Sequence, residues 1–235
     1  MYKVSGLEIT PFKDIDQAVG AILDGEGHIT PGFAIALNAE KIISMRRNND
    51  VRRVLELATL RYPDGIGVVW ALRRKGAECV RIPGCELWQE LMKLAGQEQT
   101  KVFIVGAKPE VMDAAKEKLI REYNVNLVGA EHGYFEDEAK LIEQIVDSGA
   151  EIITVALGSP KQEKFIHKCR ERHPNAFYMG VGGTYDVFVG NVQRAPDWMQ
   201  RLNLEWFYRL LKQPTRISRQ VVYLQYMLLL LTNRI

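Results

Sequence analysis

Four short apolar runs, each ending in glycine or a polar residue, constrain this chain more than any other feature. They cover residues 33–37, 101–106, 152–158 and 176–183, and a fifth run lies at 125–129. Each is long enough for a buried strand and too short for a helix of its own. Helical patterns separate the later runs. One opens at Pro109, one near Glu136, and one at Ser159-Pro160-Lys161-Gln162-Glu163. This alternation predicts an α/β fold: a Rossmann-like parallel sheet with helices on both faces. In such sheets the carboxyl ends of the strands line a ligand crevice. The turns after Leu37, Val105, Leu157 and Val181 are therefore the places to look for a site.

Earlier in the chain, residues 7–24 read as a short strand or turn followed by a helix over 13–23. Asp14-Ile15-Asp16 has the spacing of a metal–diphosphate motif, but acids at a helix start also favour the dipole. Asn49-Asp50 opens a helix with Val51, Val54, Leu55 and Ala58 on one face. A loop at 81–88 runs into a helix through about Leu94. Hydrophobic residues make up 47% of the 235 positions and charged residues 26%, a balance that suits a packed core. Cys79, Cys85 and Cys169 have no paired spacing and read as reduced thiols. The first residues carry no apolar signal core, so no export is expected.

The chemistry-bearing residues gather at the strand ends. Pro63-Asp64-Gly65 holds a carboxylate in a turn, as a helix cap or as a base presented to a cleft; taken alone, the pattern favours the cap. Asn38 follows the first run and either caps the next helix or reaches a ligand. Gly158 and Ser159 precede a helix whose first turn carries Lys161. Ser159 and Gln162 have the spacing of a capping box, and the same helix start offers N–H groups to a diphosphate. Gln162 is also placed to reach a sugar hydroxyl. Gly182-Gly183 allows close approach of a base or ribose, and Asp186 either accepts from it or caps a turn. Gly106 ends its strand in the same way. Arg81 reads as a phosphate ligand or a surface charge. There is neither a Gly-x-Gly-x-x-Gly fingerprint nor a Gly-x-x-x-x-Gly-Lys-Ser/Thr loop, so no cofactor is implied.

The net charge of +2 is unevenly placed. From residue 201 onward six basic residues face one acid, Glu205, so that segment carries +5 and the rest −3. Aromatic and basic residues alternate through 205–219, and the run at 221–231 is apolar but far short of the roughly 20 residues that span a bilayer. The alternatives are an interfacial amphipathic helix, which the unpaired arginines favour, and a C-terminal core helix with one solvated face. Pro196 is read as opening one helix that carries Trp198, Leu202 and Trp206. The expected division is an α/β domain over 1–195 and a helical, membrane-docking appendage over 196–235.

Several blocks occur together in order: Pro63-Asp64-Gly65; Arg81 with Gly84-x-Glu86-Leu87; Gly158-Ser159-Pro160-Lys161-Gln162-Glu163; Val181-Gly182-Gly183-x-x-Asp186; Arg194-Ala195-Pro196; and Glu205-Trp206-x-Tyr208-Arg209-Leu210 with Pro214, Arg216 and Arg219. Together they resemble the TagA/WecG/CpsF glycosyltransferases over nearly the whole chain. Within that family the blocks look most like those of members that make the second lipid-linked intermediate of enterobacterial common antigen. The resemblance implies inverting transfer of N-acetyl-D-mannosaminuronate from UDP to N-acetylglucosaminyl-diphospho-undecaprenol, with no metal site. The alternatives are UDP-N-acetylmannosamine as donor, or a non-catalytic UDP-sugar-binding module. Carried over, Asp64 matches the catalytic base, and Asn38 and Gln162 match substrate-orienting positions. Asp186 matches a donor-nucleotide position. Arg209, Arg216 and Arg219 match tail arginines that approach the acceptor diphosphate. Arg81 would meet that diphosphate or the uronate carboxylate. Ala36 departs from relatives that carry a threonine there. The implied partners are the UDP-sugar, the polyprenyl-diphosphate acceptor and the cytoplasmic face of the inner membrane, met peripherally. No nucleic acid is expected, and a homo-oligomer stays open.

Overall fold

The computed structural model describes residues 2–202, 204–212 and 217–235, with the side chains of 197, 209, 210 and 217–220 excepted. A small hairpin, β1 (Lys3–Val4) with β2 (Leu7–Glu8), precedes a six-stranded sheet. That sheet comprises β3 (Gly32–Leu37), β4 (Leu60–Pro63), β5 (Lys101–Gly106), β6 (Asn126–Glu131), β7 (Ile152–Ala156) and β8 (Phe177–Gly180). Its order is β4-β3-β8-β7-β5-β6 and every pairing is parallel. The predicted α/β architecture with helices on both faces is the one observed.

The sheet alternates as period-two chemistry requires. Phe33, Ile35 and Leu37 enter one core layer with Phe103, Val105, Ile153 and Val155. Ala34, Val102, Ile104, Ile152 and Met179 enter the other. The first layer is covered by α2 (Ala39–Arg47), α3 (Asn49–Glu56), α4 (Ile66–Arg74), α7 (Glu138–Ser148) and α8 (Lys161–Arg172). The second is covered by α1 (Ile15–Gly20), α5 (Gly84–Gln97), α6 (Pro109–Tyr123) and α9 (Thr184–Phe188). Thus α2 leaves β3 toward one face while α9 leaves the neighbouring β8 toward the other. The chain parts between these strand ends, and a crevice opens there.

Several expectations need correction. The stretch before the Pro63-Asp64-Gly65 turn, to which the sequence pattern assigns no element, is an edge strand of four residues with Leu60 and Tyr62 buried. The first helix is shorter than 13–23, and Asp14 Oδ1 caps it by accepting from Gln17 N at 2.8 Å. The single helix read after Pro196 is two: α10 (Asp197–Arg201) ends before α11 (Glu205–Lys212) begins.

The last helix, α12 (Ile217–Leu231), packs against α2 and α4. Tyr226 and Leu230 are buried in the first core layer. Arg74 Nη1 donates to Leu230 O at 2.7 Å, and Arg47 bonds the Gln225 side chain. The opposite side carries Val221, Leu224, Leu228 and Leu231, all exposed and spaced as one helical stripe. The core-helix reading therefore describes one side of α12, and the other side is apolar rather than solvated and polar. Among the described residues no helix is long and apolar enough to cross a membrane.

Gly96 fixes how closely α5 approaches α6. A β-carbon there would lie 1.7 Å from the Tyr123 carbonyl oxygen, which is backbone and cannot swing aside. Gly96→Ala is expected to destabilise the fold by about 3 kcal/mol, read as a lower denaturation midpoint.

Candidate active site

Asp64 sits where β4 ends, and its backbone is held on three sides. Asp64 N and Gly65 N both donate to Leu37 O, at 3.0 and 3.1 Å. Arg81 Nε donates to Asp64 O at 2.5 Å. A β-carbon at position 65 would meet the Asn38 Cα at 3.0 Å, so glycine lets the turn press against the end of β3. Gly65 is the cap position of α4, and no side chain bonds the first turn. The Asp64 carboxylate is therefore not spent on capping. Asn38, by contrast, caps α2 through Lys41 N at 3.0 Å. It also lines the crevice.

Two hollows meet at Asn38, Asp64 and Arg81. The polar one, about 440 Å³, also takes in Lys41, Gln162, Gly183, Asp186 and Lys212. The apolar one, about 380 Å³, is walled by Trp70, Trp206, Tyr223, Tyr226 and Met227. Asp64 faces both. The first turns of α5 and α9 edge the polar hollow through Gly84, Cys85 and Thr184, and neither helix has a side-chain cap. The first N–H groups of α5 favour an anion, whereas Thr184 N at the start of α9 is spent on Val181 O at 3.2 Å.

Gln162 does not complete a capping box, and α8 has no side-chain cap. Its side chain turns across Gly180 instead: Oε1 accepts from Gly182 N at 3.0 Å, and Nε2 donates to Glu163 Oε1 at 3.1 Å. Lys41 Nζ reaches the same Glu163 oxygen at 2.8 Å. Burial pushes the Glu163 carboxyl up, but Lys41 and the hydrogen bonds from Gln162 and Ser159 outweigh it, and the net shift is downward. This chain of contacts ties α2, α8 and the Gly182 turn into one polar floor.

The pair sets a pH dependence. Because the folded Glu163 value is depressed, its contribution is fully present above the ordinary value of 4.5 and is lost as pH falls through the folded value. Lys41→Met leaves a buried carboxylate without its cation. It is expected to destabilise the protein by about 3 kcal/mol at pH 7, with the deficit shrinking toward pH 4 as Glu163 protonates, in denaturant titrations at both pH values.

A second ionic group lies above Asp64. Arg81 Nη2 is 3.5 Å from Asp64 Oδ1 and 3.0 Å from Glu205 Oε2. Arg194 Nη2 is 2.8 Å from Glu86 Oε1 and 3.8 Å from Glu205 Oε2. Glu205 is buried between the two guanidiniums. Burial pushes the Cys85 thiol up, with Asp64 and Glu205 adding to this against Arg194, so Cys85 borders the polar hollow as a protonated thiol.

Asn38, Asp64, Arg81, Gln162, Gly183 and Asp186 are thus brought to one place. Gly106, Gly158 and Lys161 are not. Gly106 (φ +116°) lies against the Ala156 carbonyl, Gly158 is off the lining, and Lys161 Nζ sits 5.6 Å from the Phe135 ring centre. Arg216 and the side chains of Arg209 and Arg219 lie outside the described residues. Sequence reading gave no site role to Lys41, Cys85 or Glu163, or to Glu205 beyond its block. Only the ordered blocks around Glu86 and Glu205 gave a signal for the upper ionic group. A family profile described as "Glycosyl transferase WecG/TagA/CpsF family" matches residues 2–235.

Proposed function

Since this chain belongs to the WecG/TagA/CpsF family of glycosyltransferases and so acts on a UDP-sugar, we propose that it moves N-acetyl-D-mannosaminuronate from UDP to N-acetylglucosaminyl-diphospho-undecaprenol. That is the lipid-linked step of enterobacterial common antigen synthesis expected from the residue blocks. The carrying observation is the position of Asp64 on the wall shared by a polar and an apolar hollow. A transfer reaction needs a donor on one side of its base and an acceptor on the other.

In this reading the polar hollow takes the donor. Asp186 and the Gly182-Gly183 turn meet the nucleoside, and Lys41, Lys212 and the N-terminus of α5 meet the diphosphate. Asn38 and Gln162 orient the sugar, and Ala36 leaves room where relatives carry a hydroxyl. The apolar hollow takes the acceptor sugar against Trp70 and Trp206. Arg81 and the tail arginines Arg209, Arg216 and Arg219 serve the acceptor diphosphate.

Asp64 removes the proton from the acceptor 4-hydroxyl. That oxygen forms a bond to the anomeric carbon from the face opposite UDP. The bond from the anomeric carbon to the β-phosphate oxygen breaks, its electron pair leaves with UDP, and the centre inverts. Cations and N–H groups preorganised around the departing diphosphate stabilise its charge. The exposed stripe of α12 and the basic residues of the tail support peripheral docking on the cytoplasmic face of the inner membrane.

The test is UDP release from UDP-N-acetylmannosaminuronate, with and without the lipid acceptor. Acceptor-dependent release supports the reading. Release only from UDP-N-acetylmannosamine would reassign the donor, and donor binding without acceptor-dependent release would mark a non-catalytic module.

A further inference from the structure

Glu205 is the only acid from residue 201 onward, yet it is buried 3.0 Å from a guanidinium that also touches Asp64. We propose that Glu205 is a positioning residue: it draws Arg81 away from Asp64 and so keeps the Asp64 carboxylate free to take a proton. The proposal rests on Asp64 being the base of the transfer reaction.

Arg81 is held by its Nε on the Asp64 carbonyl oxygen and has little freedom to leave. Its Nη2 lies between two carboxylates and is nearer to Glu205, at 3.0 Å, than to Asp64, at 3.5 Å. Without Glu205 the same nitrogen has Asp64 as its nearest acid. A guanidinium bonded directly to a carboxylate stabilises the charged form and occupies a lone pair that must accept a proton. A weaker base is a slower one. Glu205 therefore acts on Asp64 twice, by competing for Arg81 and by adding a negative charge nearby.

The other charged and titratable groups are consistent with this balance. From β4, the Tyr62 hydroxyl is buried, and burial together with Asp64 keeps it neutral. From α5, Cys85 is a protonated thiol. Arg194 is held by Glu86 at 2.8 Å, which leaves it 3.8 Å from Glu205. Arg81 is thus the closest described cation to both acids. Glu205 opens α11 and is itself buried, so its carboxylate is held beside Arg81.

The experiment reads single-turnover sugar transfer by the full chain at saturating lipid acceptor, as a function of pH. Glu205→Gln is expected to slow the step about tenfold and to move its acidic limb down by about one pH unit, because Asp64 becomes the weaker base. Glu205→Asp, which keeps the charge, should hold the limb at the wild-type position. Glu205→Met removes the charge without leaving an amide to satisfy, and must move the limb in the same direction as Glu205→Gln. In an Arg81→Gln background Glu205→Gln should cost much less, only what the loss of its bare charge contributes. An unmoved limb, or an equal loss with and without Arg81, would mean that Glu205 only ties down the tail and would overturn the proposal. Failure of the wild-type chain to transfer sugar would instead overturn the functional reading on which it rests.

Discussion

Asp64→Asn lowers the rate of sugar transfer by about 10²- to 10⁴-fold, the range expected when a positioned general base is removed. The donor is still bound, with its dissociation constant changed by less than about threefold, because the amide keeps the shape of the carboxylate. The fold should be unaffected. The turn is held by its backbone through Leu37 O and Arg81, and the side chain caps no helix. Transfer measured with saturating donor and acceptor, alongside donor binding by calorimetry, separates the two effects. A variant that turns over within a few-fold of the wild type while binding donor would remove Asp64 from the mechanism.

Leu228→Glu with Leu231→Glu tests the outer side of α12. Both residues are more than half exposed, so the pair should leave the thermal midpoint nearly unchanged. If that stripe seats in a lipid interface, each change removes an apolar side chain and adds a charge repelled by anionic headgroups. Binding to vesicles containing anionic lipid should fall by about 10²- to 10³-fold. Transfer to a lipid-anchored acceptor should fall with it, and transfer to a short-chain acceptor should not. Vesicle binding that survives the double change would place the membrane contact elsewhere.

The sheet was legible because its strands are apolar runs with clear ends. Five of the six strands of the main sheet announce themselves in this way. The sixth, Leu60–Pro63, is short, carries Arg61, and merges into Pro-Asp-Gly, whose turn chemistry hides a strand. The turn itself was found, but its role could not be decided from local pattern. Asp64 has the residue type and place of a helix cap, and only the position of Gly65 shows that the cap falls one residue later.

Local spacing misled at Ser159 and Gln162. The capping box was available, but the bond Gln162 accepts from Gly182, 20 positions along the chain, won over the local alternative. Lys41 with Glu163, and Arg81 with Glu205, each join residues more than a hundred positions apart. No periodicity encodes such pairs. Ordered blocks of residues held both members of the second pair and Glu163 of the first, but nothing pointed to Lys41.

One side of α12 walls the apolar hollow through Tyr223, Tyr226 and Met227, and Leu224 of the exposed stripe lines the same hollow. The stripe therefore reaches the hollow within one helix width, on the order of 10 Å. A substrate whose hydrocarbon anchor stays in the leaflet would need to lift its headgroup by only that distance to reach the chamber beside Asp64. If the stripe seats in a leaflet, the tether demanded of an anchored substrate is short, and soluble sugars, which have no anchor to concentrate them at that doorway, are at a disadvantage.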